Sequence, residues 1–427
     1  MMKKYIVFTL LQLLLLTFSP ALKAQFVLSG EIRPRLEINN GYSKLFSPGL
    51  KTAVIFSQRS RLVAEYDHKI FTTKISIQDV RIWGDEAQLS LSDPAGISLH
   101  EAWAKLKMGE FFTLKLGRQE LVYDDHRLMG NVEWAQQARS HDAIVLGFEK
   151  QGWTLNLGGA YNNDNFDLSK TPYTIAGYRA LSYFWVNKTF KDKLQMSIIG
   201  IANGVENAAD TTLYFTGTLG PHLQFTSNGF KANATFYYQF GKLNSGTSVN
   251  AFMAAATASY TVKKTKISVG ADYLSGNNAF KVGDAKSRTF NTLYATNHKF
   301  YGFMDYFINI PAHTDGAGLL DIQLGVQGKF GDKSTLAIDG HYFMLGNDLP
   351  DPENVSSALA RGLGGEIDAV YSYKIHEMVD FFVGWSVLLP TESLGVINSG
   401  TKGRFNNWAW TMITFKPVFF KSKDKSE

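Results

Sequence analysis

The stretch ISLHEAWAKLKMGEFFTLKLGRQELVYDDHRLMGNVEWAQQARSHDAIVLGFEK, Ile97 to Lys150, decides how the chain folds. Ala102, Ala104, Leu106 and Met108 alternate with Glu101, Trp103, Lys105 and Lys107. Gly109-Glu110 reads as a tight turn, after which Phe112, Leu114 and Leu116 alternate with Thr113, Lys115 and Gly117. A period of two puts alternate side chains on opposite faces of a sheet, so the segment is strand, turn, strand. A long polar loop follows, then another strand. A soluble sandwich can produce one such unit. Here the unit of two strands, short turn and long polar loop repeats to the C-terminus, with nothing helical between.

Towards the N-terminus, Phe26 to Ile38 sets Phe26, Leu28, Ile32, Leu36 and Ile38 against Glu31, Arg33, Arg35 and Glu37. Pro34 lies inside this strand and argues against a fully paired central position. The second strand carries Gln58-Arg59-Ser60-Arg61 and Glu65. The third, Phe71 to Trp83, slips in phase near Gln78-Asp79, which reads as a bulge. Later strands, such as Phe230 to Phe240 and Leu320 to Phe330, alternate cleanly.

Short connections fall at 67–69, 109–110, 150–151, 191–193, 225–228, 263–265, 331–332 and 375–376. Longer polar ones fall at 39–51, 84–96, 122–138, 163–177, 204–210, 242–249, 275–317, 346–359 and 390–404. The two kinds alternate, and counting through gives about 18 strands, too many for one sandwich. Tyr66, Phe71, Trp153, Phe190, Phe225, Phe230, Tyr260, Tyr371 and Tyr373 sit beside the short turns, as an interfacial girdle would. The pattern predicts an all-β fold, a transmembrane antiparallel up-and-down barrel with short periplasmic turns and long extracellular loops. The longest connection, 275–317, is expected to fold partly into the pore mouth.

Residues 1–24 read as a signal peptide. Lys3 and Lys4 start it, Tyr5 to Phe18 is apolar, and Leu22-Lys23-Ala24 offers a cleavage site before Gln25. Residues 25–427 then form one barrel domain, in the outer membrane of a Gram-negative bacterium and in contact with its lipid. The net charge of +5 falls to +2 without the three leader lysines, which is no nucleic-acid binder's balance. With no cysteine in the chain, disulfide scaffolds, thiolate metal sites and thiol catalysis are excluded.

The first half resembles the alginate export family of outer-membrane barrels. The resemblance rests on QRSRL (Gln58 to Leu62), QDVRIWGD (Gln78 to Asp85) and LHEAW (Leu99 to Trp103). It continues in LGRQEL with DDHRLMG (Leu116 to Gly130), ARSHDAIVL (Ala138 to Leu146) and NHKFYGFMDYF (Asn297 to Phe307). The family implies an 18-stranded barrel whose arginine-rich constriction passes acidic polysaccharide.

Eight of the twelve arginines precede residue 140. By phase, Arg33, Arg35, Arg59 and Arg61 face away from lipid, and Arg81 and Arg118 are expected to join them after local slips. Arginine on the lipid face at mid-depth costs roughly 2–4 kcal/mol. Guanidinium grips carboxylate or phosphate with two donors, so a ring of these residues, with Lys105 and Lys115, can form an anion path. Glu31, Glu37, Glu65, Asp79, Glu101 and Glu120 lie among them and can instead neutralise them, bracing the wall.

Enzyme signatures are poor. His376-Glu377-Met378-Val379-Asp380 has Asp where a zinc protease motif needs its second His. Arg361-Gly362-Leu363-Gly364-Gly365 precedes a strand rather than a phosphate-binding helix. Asp124-Asp125-His126 and His141-Asp142 can meet a cation but read as solvated pairs, so neither metal nor cofactor is expected. The expected function is passive passage of small anionic solutes, acidic sugars or alginate-like polysaccharide. The alternatives are a scaffold or receptor barrel for another envelope component, and a barrel-embedded hydrolase.

Overall fold

The computed structural model describes residues 24–86, 96–169, 173, 177–281, 283, 285–400 and 405–422. The expected leader lies outside them apart from Ala24, as do parts of the connections at 84–96, 163–177 and 390–404 and the end of the charged tail. The first six strands are β1 (Ala24–Asn40), β2 (Ala53–His68), β3 (Phe71–Ile82), β4 (Ile97–Met108), β5 (Phe112–Gln119) and β6 (His141–Lys150). Next come β7 (Trp153–Tyr161), β8 (Ala180–Phe190), β9 (Leu194–Glu206), β10 (Leu213–Ser227), β11 (Phe230–Lys242) and β12 (Ser248–Val262). The last six are β13 (Thr265–Leu274), β14 (Leu319–Phe330), β15 (Ser334–Leu345), β16 (Gly362–His376), β17 (Val379–Pro390) and β18, which runs Asn406–Phe415 and resumes at Val418–Lys421.

Every strand pairs antiparallel with the next, and β1 pairs with both parts of β18, closing an 18-stranded barrel. Closure is the physical solution to crossing a membrane with strands, because an open edge would leave unpaired N–H and C=O groups in hydrocarbon. The break in β18 falls at Lys416-Pro417, where proline has no N–H to give the ladder. Among the described residues no helix is long and apolar enough to cross a membrane.

The alternation expected from the sequence is present. Ile32, Ile38, Phe56, Leu62 and Ile144 are exposed on the outer face, while Arg33, Arg35, Ser57, Arg59 and Ala143 are buried on the inner one. Of the girdle aromatics, Phe71, Trp153, Phe190, Phe225, Phe230, Tyr260, Tyr371 and Tyr373 are exposed beside the short turns. Pro34 does sit in a strand paired on both sides. It is tolerated because the β1–β18 ladder skips from Ile32↔Phe415 to Arg35↔Met412.

The bulge is not where the sequence suggested. It lies in β4, not β3: Ser76 faces Glu101 and Ile77 faces Leu99, leaving His100 as the extra residue. The phase of β3 therefore never slips. Arg81 pairs with Gln58, and Asp79 with Ser60, on the outer face. Arg118 lies opposite Asp142 on that face too, since β5 keeps its register through Gly117. Gly117 has φ +118, and a Cβ there would come within 2.2 Å of the Ala102 carbonyl oxygen. Arg81, Asp79 and Arg118 are thus corrections to the expected lumen set. All three lie at the long-loop ends of their strands, where an outward charge is cheap.

Candidate functional site

The connection between β5 and β6, residues 120–140, folds inward and lies on the arginines of β1 and β2. Arg33 donates through Nε to Gln136 Oε1 at 3.0 Å and through NH1 to the Glu133 carbonyl at 2.9 Å. Arg35 donates to the Trp134 carbonyl at 2.9 Å, its guanidinium 4.3 Å over the Trp134 ring. Arg59, fully buried, donates through Nε to Glu31 at 2.7 Å and pairs through NH2 with Glu133. Arg61 donates to Gln78 Oε1 at 2.7 Å, with Glu133 3.6 Å away. Gln136 Nε2 closes the set on Ser57 Oγ at 3.0 Å.

One loop carboxylate thus faces three guanidinium groups. Burial alone would raise the Glu133 carboxyl, but Arg59, with Arg61 and Arg33, holds it below the ordinary carboxylate range. The other inward residues follow the same economy of partners. Glu37 accepts from Arg35 at 3.0 Å, and Glu101 pairs with Lys74 and accepts from Trp103 Nε1 at 3.0 Å. Lys115 sits 4.1 Å over the Trp103 ring, opposite Lys105, and Glu65 faces Lys74 across the β2–β3 ladder. The outward residues pair among themselves, Arg81 with Asp79 and Arg118 with Asp142 at 3.0 Å.

The connection between β13 and β14, residues 275–318, also enters the barrel, as its length and aromatic run suggested. Phe290, Tyr301, Met304, Tyr306 and Phe307 are buried in it. The two loops hydrogen-bond to each other: Gly130 N to the Tyr294 carbonyl at 2.8 Å, Tyr294 N to Leu128 at 2.9 Å and Thr296 N to His126 at 3.0 Å. They form one plug.

Acidic residues on the opposite wall seat it. Arg127 pairs with buried Asp272 of β13 and lies 4.0 Å over the Phe300 ring. Glu366 Oε1 accepts from Met304 N at 2.7 Å, and Asp368 accepts from Phe303 N at 3.3 Å. Gly302 has φ +78, and a Cβ there would lie 2.6 Å from the Glu366 carboxylate, so only glycine fits this close approach.

Sequence reasoning missed Glu133, Gln136, Asp272 and Glu366 as contacts of the lumen loops. The available signal was inner-face parity, which places Asp272, Asp321, Glu366 and Asp368 together on β13, β14 and β16.

Above the plug, on the long-loop side, a cavity of about 610 Å³ is lined by Arg35, Tyr42, Trp134, Arg139, His298 and Asp305. Arg139 donates to the Ala295 carbonyl at 3.1 Å, and burial lowers its pKa from the ordinary guanidinium value.

His100, Glu101 and Glu120 bring possible metal-ligand atoms within 4.8 Å of one another. Their lone pairs and protons already have protein partners: His100 Nε2 to Glu120 at 2.8 Å, His100 Nδ1 to Ser140 at 3.2 Å and Asn131 Nδ2 to Glu120 at 2.8 Å. The other candidate cation pairs are dispersed. Asp124 accepts from Trp185 Nε1 at 2.8 Å, and His141 bonds Tyr178 at 3.0 Å. Residues 376–380 form strand, turn and strand, so His376 and Asp380 share no helix face.

A closed 18-stranded barrel with short turns at one rim, long loops at the other and two loops folded into its lumen has the architecture of an outer-membrane porin. The family model described as Alginate export matches residues 31–168, which hold every motif of the resemblance except Asn297 to Phe307. Solved porins share the shape across most of the chain. Acinetobacter baumannii OccAB1 superposes with a TM-score of 0.64 at 12% identity, covering 93% of this chain and 97% of that one. A BenF-like porin from Pseudomonas fluorescens Pf-5 gives 0.61 at 12% identity, covering 92% and 99%. Pseudomonas aeruginosa OpdK with vanillate gives 0.60 at 9% identity, covering 93% and 99%. At these identities the likeness is one of fold. Comparison with curated proteins gave no match.

Proposed function

We propose that this chain is an outer-membrane channel through which small anionic solutes, acidic sugars among them, diffuse passively. The observation that carries the reading is the cavity of about 610 Å³ where the plug narrows the barrel, with Arg35 and Arg139 in its wall beside Glu37, Asp85 and Asp305. The guanidinium donors there can grip an anion's oxygens in pairs, while the carboxylates beside them keep the wall near neutral, so the preference rests on donor geometry rather than on net charge. A solved porin of the same fold, OpdK, is described with vanillate, an aromatic carboxylate. Transport of this kind needs no cofactor and no bond chemistry. The extension to acidic sugars draws on the match of residues 31–168 to the Alginate export model.

The test is conductance in planar bilayers under a salt gradient. An open channel with a reversal potential favouring chloride over potassium supports the reading, and cation preference refutes its anionic part. A second reading, a non-conducting scaffold or receptor barrel, draws on the way the loop occupies donors of Arg33, Arg35 and Arg59. In that reading the arginines brace the wall, and the purified barrel passes no current.

The export route and extent belong to the same proposal. Residues 1–24 act as the leader, and the mature chain from Gln25 forms a single domain in the outer membrane.

A further inference from the structure

The arginines of the upper lumen are held by a loop, so the free positive charge of this barrel lies elsewhere. At the short-turn end, the turns 263–264 and 331–333 and the ends of β14 and β16 bring Lys264, Lys329, Lys333 and Lys374 around a concavity of about 450 Å³. Lys329 and Lys374 are on the inner face, in register with buried Asp321 and Asp368 of the same strands. All four lysines are exposed. Among the described residues none of their ammonium groups has a protein partner, in contrast to Lys74 with Glu101 and Lys107 with Asp67 further round the wall.

Their backbones are tied to each other. Lys329 N donates to the Lys264 carbonyl at 2.9 Å, and Lys374 N to the Lys333 carbonyl at 2.8 Å. The four charges therefore have a fixed spacing at their roots and freedom at their tips. Asp332 and Asp380 share the concavity, and four cations against two anions leave it net positive. Ser334, Thr335 and Ser372 add hydroxyl donors.

We propose that this lysine concavity binds soluble multivalent anions of the phosphate or polycarboxylate class at the periplasm-facing mouth. The proposal rests on the channel reading and adds to it a second station, on the far side of the plug from the arginine-lined cavity. Each solvated lysine–anion contact gives no more than a roughly two- to five-fold gain in affinity. A singly charged ion thus gains little, and a ligand that reaches several lysines multiplies the gains. Ammonium is a point charge with three rotatable donors, which suits phosphate oxygens approached from several sides. The inner-face position of Lys329 and Lys374 favours a soluble anion over a lipid headgroup, which would meet the outer face.

The test uses the full-length barrel folded in detergent, titrated calorimetrically with inorganic tripolyphosphate at about 10 mM salt, where the screening length is ~30 Å. Saturable binding is expected, weakened ten-fold or more in the K264Q/K329Q/K333Q/K374Q variant and unchanged in K44Q/K51Q on the long-loop side. Should the quadruple variant fold poorly, K264Q/K333Q, confined to exposed turns, is expected to weaken binding at least three-fold. Equal binding in wild type and lysine variants, or an equal loss in K44Q/K51Q, overturns the proposal.

In bilayers, tripolyphosphate added on the short-turn side should block current, and the same addition on the long-loop side should not. Block that is equal from both sides overturns it as well. A block that tracks the phosphatidylglycerol content of the bilayer instead assigns the lysines to lipid, which also overturns it. The calorimetric arm decides the proposal even in a barrel that passes no current, so its failure is separable from failure of the channel reading.

Discussion

Glu133, at the tip of an inward-folded loop, and Arg59, on the second strand, form an ion pair across 74 residues of sequence, with Arg59 wholly buried. Arg59 also holds Glu31, so this guanidinium joins the loop to two strands of the wall. The contact decides whether the arginine cluster acts as open pore lining or as the seat of a plug.

Replacing Arg59 with Gln should therefore act first on stability. It leaves Glu31, largely buried, and Glu133, half-exposed, short of their partner, so the cost falls below the roughly 3–5 kcal/mol of a fully buried pair, on the order of 1–3 kcal/mol. The urea midpoint of the folded barrel should fall accordingly, and the heat-modifiable band should unfold at lower temperature. An unchanged midpoint would show that the pair contributes nothing to holding the loop.

The loop should also release in acid. The Glu133 carboxyl is held below its ordinary value, near 4.3 for a free glutamate. A depressed carboxyl stabilises the folded state above the unfolded pKa, and that contribution is lost as pH falls through the folded one. Conductance and protease sensitivity of residues 120–140 should thus be flat from neutral pH to about 5 and rise well below 4. In Glu133→Gln that acid transition should be absent, and its persistence there would assign it to another group.

Gly302→Ala should loosen the second loop. The new Cβ would meet the Glu366 carboxylate at 2.6 Å, in a backbone conformation that side chains rarely adopt. Strain of this kind is worth about 1–3 kcal/mol. Limited proteolysis within 275–318 should speed up and current noise should increase, while the barrel still resists detergent. Proteolysis at the wild-type rate would mean that the loop is not seated on Glu366.

Location is testable without mutation. The mature chain should begin at Gln25, fractionate with the outer membrane and migrate differently on gels before and after heating. Recovery from the soluble periplasmic fraction would contradict the barrel in its membrane setting.

The arginine positions show how far local reading reaches. Arg33 and Arg35 lie on the inner face of an uninterrupted strand, and alternation alone put them there. Inward positions for Arg81 and Arg118 require slips that do not occur: the bulge of the β3–β4 ladder sits at His100 on the neighbouring strand, and β5 keeps its register against β6. A bulge is a property of a pair of strands, and one strand's sequence does not say which partner carries the extra residue.

The sequence by itself determined the strand count, the alternation of short and long connections, the lipid-facing side of the clearly phased strands and the aromatic belt. All follow from a period of two and from the chemistry of turns, which act between near neighbours. Only the tertiary structure decided what the inward arginines touch and how the lumen is filled. Arg33 meets Gln136, and Arg127 meets Asp272, across more than 100 residues. Such contacts depend on where the closed sheet brings two distant walls, and no local period in the chain records that distance.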